Sequence, residues 1–235
     1  MSSAAEQKTN AAKAALTYVE DGMTVGLGSG STAAIFVRLL AERIQKEGLN
    51  IQGIPTSKAT EQIALDHKVP LMPIEHASKI DVTIDGADEV DGRFRLIKGG
   101  GACLLREKII AAASDLMVVV IDETKLVGRL GQFPLPVEVD PFGFTITAKK
   151  IFEALRKTGV AKPEVELRCL ADGREPLITD GGNYILDCAC GEIPDPEASA
   201  NALANIAGVV DHGLFIDLAR VVIVGEDKGA RVMEL

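Results

Sequence analysis

Two apolar periods alternate along this chain. Ala12, Ala15, Leu16 and Val19 recur at helical spacing, so Ala4–Val19 reads as an alanine-rich amphipathic helix closed by Asp21-Gly22. Short, nearly continuous apolar runs at Met23–Leu27, Asn50–Ile54, Val69–Pro73, Ile80–Ile84 and Leu116–Ile121 predict strands. Ala33–Lys46 and Ser57–His67 are helical between them. Apolar strands alternating with helices predict an α/β protein with a parallel sheet covered on both faces.

The texture changes after Gly131. Phe133-Pro134-Leu135-Pro136 opens a strand at Val137–Val139, and Thr147–Lys157 follows as a helix. Glu164–Leu170 reads as a strand, and Leu177–Thr179 with Ile185–Cys190 as a hairpin around Asp180-Gly181-Gly182-Asn183. Pro196–Ala204 is a further helix, and Val209–Phe215 and Arg220–Val224 are strands, the last rejoining the main sheet. This order predicts a small α+β insert at residues 132–207 within a larger α/β domain of residues 1–131 and 208–235.

Candidate chemistry gathers between Ile84 and Ile110. Asp85, Asp88 and Asp91 fall in a glycine-broken turn after Ile80–Ile84, with Gly86 and Ala87 between the first two. Lys98 follows a second short strand, Phe94–Ile97, and precedes Gly99, Gly100 and Gly101, which feed a helix over 102–113. Glycines between a strand and a helix let backbone N–H groups turn toward an anion, and Lys98 adds a point charge. On the helix, Cys103, Glu107, Ile110, Ala111 and Ser114 share one face, and Leu105, Ile109, Ala112 and Ala113 another. Both faces are mostly apolar, which predicts a buried helix carrying a carboxylate whose pKa is raised toward the range of a general base. The plainer reading of Glu107 is an ion-pair or capping partner, since Arg106 and Lys108 flank it. Asp85 and Asp88 read equally well as a pair of turn residues.

A second loop, Gly28-Ser29-Gly30-Ser31-Thr32, joins a strand to a helix in a phosphate-binding layout, with Ser31 or Thr32 as the expected helix cap. It is neither a Walker loop nor a full dinucleotide fingerprint. The loops at 28–32, 85–88, 98–101 and 122–125 all follow strands, where ligands of parallel sheets bind.

Composition narrows the classes. A chain of 235 residues with 47% hydrophobic residues supports a real core. Its net charge of -9 disfavours nucleic acid and anionic membrane as partners. No apolar run approaches the roughly 20 residues of a membrane span, and Met1–Asn10 lacks the apolar centre of a signal peptide, so a cytoplasmic location is expected. Cys103, Cys169, Cys188 and Cys190 fit reduced thiols, and Cys188-Ala189-Cys190 places two small side chains on one strand face. His67, His76 and His212 lack ligand spacing, and His212 reads as a turn residue.

Residues 26–33, 85–88, 98–101, 106–110 and 131–139, with 181–187 and 208–215, closely resemble the type A ribose-5-phosphate isomerase family, in the family's order over nearly the whole chain. The resemblance implies a Rossmann-like α/β domain interrupted by a smaller ferredoxin-like α+β domain. It implies a homodimer or homotetramer that interconverts D-ribose 5-phosphate and D-ribulose 5-phosphate with no metal and no cofactor. The family's general base falls on Glu107, its sugar-contacting aspartates on Asp85 and Asp88, and its lysines on Lys98 and Lys125. Its substrate-binding loop falls on Ser29–Thr32, where position 29 is Ser and many members have Thr; Lys8 lies near the position of an N-terminal lysine that some members use.

For such a reaction, metal-assisted hydride transfer needs a ligand cluster that the scattered histidines do not supply. Proton transfer needs one carboxylate to carry a proton between C2 and C1, the role open to Glu107, and donors for the enediolate oxygens, the role open to Lys98 and the amides of Gly99–Gly101. Opening the sugar ring needs a further acid/base, and Asp85 and Asp88 are not separable on pattern. Two other classes share the broad layout: a phosphosugar-sensing domain, and a coenzyme A transferase with a glutamate nucleophile.

Overall fold

The structure is a computed structural model that describes residues 4–171 and 173–235. The chain begins with α1 (Ala4–Ala15), β1 (Thr24–Leu27), α2 (Ser31–Glu47), β2 (Gln52–Pro55), α3 (Lys58–Asp66) and β3 (Ile80–Asp85). It continues through β4 (Glu89–Val90), β5 (Leu96–Ile97), α4 (Leu104–Ala113), β6 (Ser114–Asp122), β7 (Leu135–Val139) and α5 (Phe144–Lys157). The remainder is β8 (Glu164–Leu167), β9 (Tyr184–Ala189), α6 (Pro196–Ala204), β10 (Val209–His212), β11 (Leu214–Phe215), β12 (Ala219–Glu226) and β13 (Gly229–Glu234).

These elements form two compact units. The first comprises 1–87, 106–126 and 217–235. Its six-stranded sheet has the order β13-β12-β6-β3-β1-β2, parallel except for the β12–β13 hairpin at one edge. Val25, Leu27, Val82, Ile84, Val118, Val120 and Ile223 are buried in its main core, with Ala11, Ala12 and Ala15 of α1 and Phe36, Val37 and Leu40 of α2. The expected parallel α/β layout is therefore present, with Arg220–Val224 rejoining the main sheet.

The second unit comprises 88–105 and 127–216. Its main sheet runs β10-β7-β9-β8, with every neighbouring pair antiparallel. Taken with α5 and α6, the order β7-α5-β8-β9-α6-β10 is the ferredoxin-like βαββαβ arrangement. Leu135, Val137, Ile151, Leu155, Leu186, Cys188 and Leu203 are buried in its core. A small antiparallel sheet, β11-β5-β4, carries residues 88–97 in the same unit.

Several elements differ from expectation for local reasons. Val69–Pro73 makes only one bridge, Leu71 to Gly53, because Pro70 and Pro73 have no N–H to extend the ladder. Val209–Phe215 splits at Gly213: β10 closes the sheet against β7, and β11 pairs with β5. His212 is consequently the last, buried residue of β10 rather than a turn residue. Leu177–Thr179 meets β9 through a single Ile178–Tyr184 bridge, and β8 supplies the paired strand instead. The α4 helix buries one face, not two: Glu107, Ile110 and Ala111 are covered, while Ile109, Ala112 and Ala113 are exposed. Among the described residues, no helix is long and apolar enough to cross a membrane.

Candidate active site

In the first unit, three candidate segments lie at the carboxyl ends of neighbouring parallel strands. Residues 28–32 follow β1, Asp85–Ala87 closes β3, and the 3-10 turn Glu123–Lys125 follows β6. Parallel pairing of Leu27 with Ile84 and of Asp85 with Val119 aligns these ends.

Asp85 is fully buried and holds two of the segments together. Its Oδ1 accepts N–H bonds from Ser29 at 3.0 Å and from Gly86 at 2.8 Å. Gly28 makes the approach possible, since a Cβ there would lie 2.2 Å from Asp85 Oδ1. Ser29 Oγ turns inward to Thr56 and Ser57, each at 2.7 Å, and Thr60 at 3.1 Å, and all four residues are buried. Thr60 Oγ1 in turn donates to Gly28 O at 3.0 Å. This hydroxyl cluster sets the path of the 28–32 loop, leaving Gly30 and Ser31 as its exposed part.

Neither Ser31 nor Thr32 caps α2. The cap is Gly30 at φ 93°, with no side-chain bond to the helix, so Ser31 and Thr32 stand in the first turn. A helix start without a side-chain cap keeps first-turn amides available for an anion. Lys8 Nζ donates to Ser31 Oγ at 3.0 Å, bringing a cation to that turn. Lys125 is half-buried in its 3-10 turn, whose cap is Asp122 accepting Thr124 N–H at 3.1 Å. Glu107, 5% exposed, lies on the covered face of α4 with Ile110, which packs with Ile54 and Ile80.

The second unit gathers the rest. Asp88 N–H donates to Ile97 O at 2.8 Å, and its Oδ2 accepts Gly100 N–H at 2.8 Å. Gly100 has no room for a side chain, because a Cβ would lie 2.6 Å from Asp88 Oδ1. Lys98 is 2% exposed; its backbone N–H donates to Gly213 O at 2.9 Å, and its Nζ lies 5.5 Å from the Phe215 ring centroid. Ala102 N–H closes the glycine turn onto Gly99 O at 3.0 Å.

The structure thus assembles Ser29–Thr32, Asp85–Ala87 and Lys125 at the carboxyl ends of neighbouring strands, and separately Asp88, Lys98 and Gly99–Gly101. Chain connectivity links the sets: Ala87 leads directly into Asp88, and the glycine turn leads into the helix carrying Glu107. Thr56, Ser57 and Thr60 were not singled out from the sequence, although Ser57 begins the predicted helix and caps it, its side chain accepting Thr60 N–H.

A parallel-sheet α/β unit with polar side chains and glycine turns gathered at its strand ends has the layout of α/β proteins that bind small ligands at the carboxyl ends of their strands. Over residues 52–229 the chain matches the family model described as ribose 5-phosphate isomerase A (phosphoriboisomerase A). It is 67% identical over 232 residues to ribose-5-phosphate isomerase A of Maricaulis maris and 52% identical over 233 residues to that of Brucella suis, with 99% of each chain covered in both cases. A solved D-ribose-5-phosphate isomerase in complex with phospho-erythronic acid superposes with TM-score 0.92 at 40% identity, covering 100% of both chains. Ribose 5-phosphate isomerase from Plasmodium falciparum superposes with TM-score 0.91 at 33% identity, covering 99% of both. The chain belongs to the ribose 5-phosphate isomerase A family and is an isomerase.

Proposed function

We propose that this chain interconverts D-ribose 5-phosphate and D-ribulose 5-phosphate by proton transfer through an enediolate, with no metal or cofactor. The substrate is that of the named relatives. The reaction type is carried by one observation: Glu107 is a buried carboxylate, 5% exposed, on the helix that the glycine turn feeds. A carboxylate in that place can take a proton from one carbon, exchange it with solvent and deliver one to the next.

In the opened aldose, Glu107 removes the proton from C2. The C2–H electron pair forms the C1–C2 double bond, and the carbonyl pair moves onto O1 as the enediolate charge. Lys98 and the amides of Gly99–Gly101 stabilise that charge. Delivery of a proton, exchanged with solvent, from Glu107 to C1, with loss of the O2 proton to O1, leaves the carbonyl at C2. Asp85 or Asp88 exchanges the proton that opens the ring. Gly30–Thr32, the first turn of α2 and Lys125 receive the phosphate, with Gly86 and Ala87 against the sugar.

The test is Glu107→Gln, which keeps the size and shape of the side chain and removes its charge and basicity. Turnover should fall by about 10³-fold or more while binding of phospho-erythronic acid stays within about threefold. Unchanged turnover removes Glu107 from the base role.

A further inference from the structure

The glycine turn after Lys98 is held from the ferredoxin-like sheet by a residue outside the set described above. Arg168 comes directly after β8, and its N–H donates to Ile185 O at 2.9 Å, which sets its side chain beside Asp187 of β9. Arg168 Nε donates to Asp187 Oδ2 at 2.8 Å and Nη2 to Oδ1, a fork that fixes the guanidinium plane. The remaining nitrogen, Nη1, donates to Gly99 O at 2.9 Å and to Gly100 O at 3.1 Å. The Arg168 side chain is 14% exposed and that of Asp187 28%, so the guanidinium is held mostly within the fold.

Peptide geometry transmits this grip. The peptides of this turn are trans, so a carbonyl held on one side sends the following N–H to the other. Holding Gly99 O aims Gly100 N–H, the donor that binds Asp88 Oδ2. Holding Gly100 O turns Gly101 N–H away from Arg168. A short, flexible glycine run has little conformational preference of its own, so an external clamp decides which way its amides face.

We propose that Arg168, braced by Asp187, is the positioning residue that sets Asp88 and the Gly99–Gly101 amides for the isomerisation. This rests on the reading, given above, that those groups act on the sugar. Arg168 works through them rather than on the substrate. Lysine cannot replace it, because one ammonium lacks the fork that grips Asp187 and both carbonyls together.

The experiment compares the full-length wild type with Arg168→Lys and with the milder Asp187→Asn, which keeps one acceptor oxygen. It reads kcat, KM for ribose 5-phosphate, and amide exchange at Gly100. For Arg168→Lys, kcat should fall about 10–100-fold with KM within about threefold, and Gly100 exchange should quicken. Asp187→Asn should shift both readouts the same way by less. Combining Arg168→Lys with Asp88→Asn should give less than the product of the single losses, because one arrangement is broken twice. Unchanged kcat and Gly100 exchange in Arg168→Lys overturn the proposal, as does a kcat loss with Gly100 protection intact. Should the wild type fail to isomerise the sugar, the functional reading falls, and Gly100 exchange still reports whether Arg168 orders the turn.

Discussion

Removing the Asp85 acceptor separates its mechanical role from its chemical one. Asp85 Oδ1 satisfies two backbone donors, Ser29 N–H in a buried setting and Gly86 N–H in a half-buried one. Asp85→Ala strips both, at about 1–3 kcal/mol for each donor left unmet, with Gly86 nearer the low end because water reaches it. The expected destabilisation is about 2–4 kcal/mol. Asp85→Asn keeps an oxygen in place and loses only the charge assistance, roughly half the strength of such bonds, for about 1 kcal/mol. The difference of about 1–3 kcal/mol between the variants measures the clamp itself. The chain has no tryptophan, so far-UV circular dichroism during urea unfolding is the better assay. Asp85→Ala should also weaken inorganic phosphate binding, by releasing residues 28–32, where Asp85→Asn should not. Equal midpoints for the two variants, or Asp85→Ala the more stable, would refute the reasoning.

Two further predictions concern the thiols and an ion-paired carboxylate. Burial pushes the Cys190 thiol up to about 12 and the Cys188 thiol well above the ordinary range, so both should resist alkylation at pH 8 in the native protein, while half-buried Cys103 and Cys169 react. Mass spectrometry should find four adducts only after denaturation, and native labelling of Cys188 would contradict this. Asp81 is held below its ordinary 3.8, first by its bond with Lys79 and then by Thr24 N–H, against an opposing effect of burial. A lowered carboxyl contributes stability above the unfolded value and loses it as pH falls through the folded one. The stability gap between wild type and Asp81→Asn should therefore narrow below pH 3.8, and a gap independent of pH would show that Asp81 does not titrate as described.

The central sheet was legible because its inner strands are buried on both faces and read as unbroken apolar runs, as in Leu116–Ile121 against the observed Ser114–Asp122. Its edge was not: β13, reading Gly-Ala-Arg-Val-Met-Glu, is largely solvent-facing and carries no such run. The two-residue strand β4 is too short for a period and exists through pairing with β5, whose place the expected strand Phe94–Ile97 marks. For α4, helical spacing located the two faces, but composition could not tell that Ile109 borders an open groove with Leu65 and Ile74. Within the candidate site, glycine turns and aspartates announce themselves locally. The hydroxyls of Thr56 and Thr60 meet Ser29 from 27 and 31 residues away, and Arg168 meets Gly100 from 68. Such contacts have no local signature.

The most direct test of the account is proton NMR of the purified chain with ribose 5-phosphate in D₂O. The enediolate route predicts ribulose 5-phosphate carrying solvent deuterium at C1, and no product with Glu107→Gln. Ribulose 5-phosphate formed without deuterium would contradict proton transfer through a solvent-exchanging carboxylate, and no ribulose 5-phosphate at all would contradict the proposed reaction.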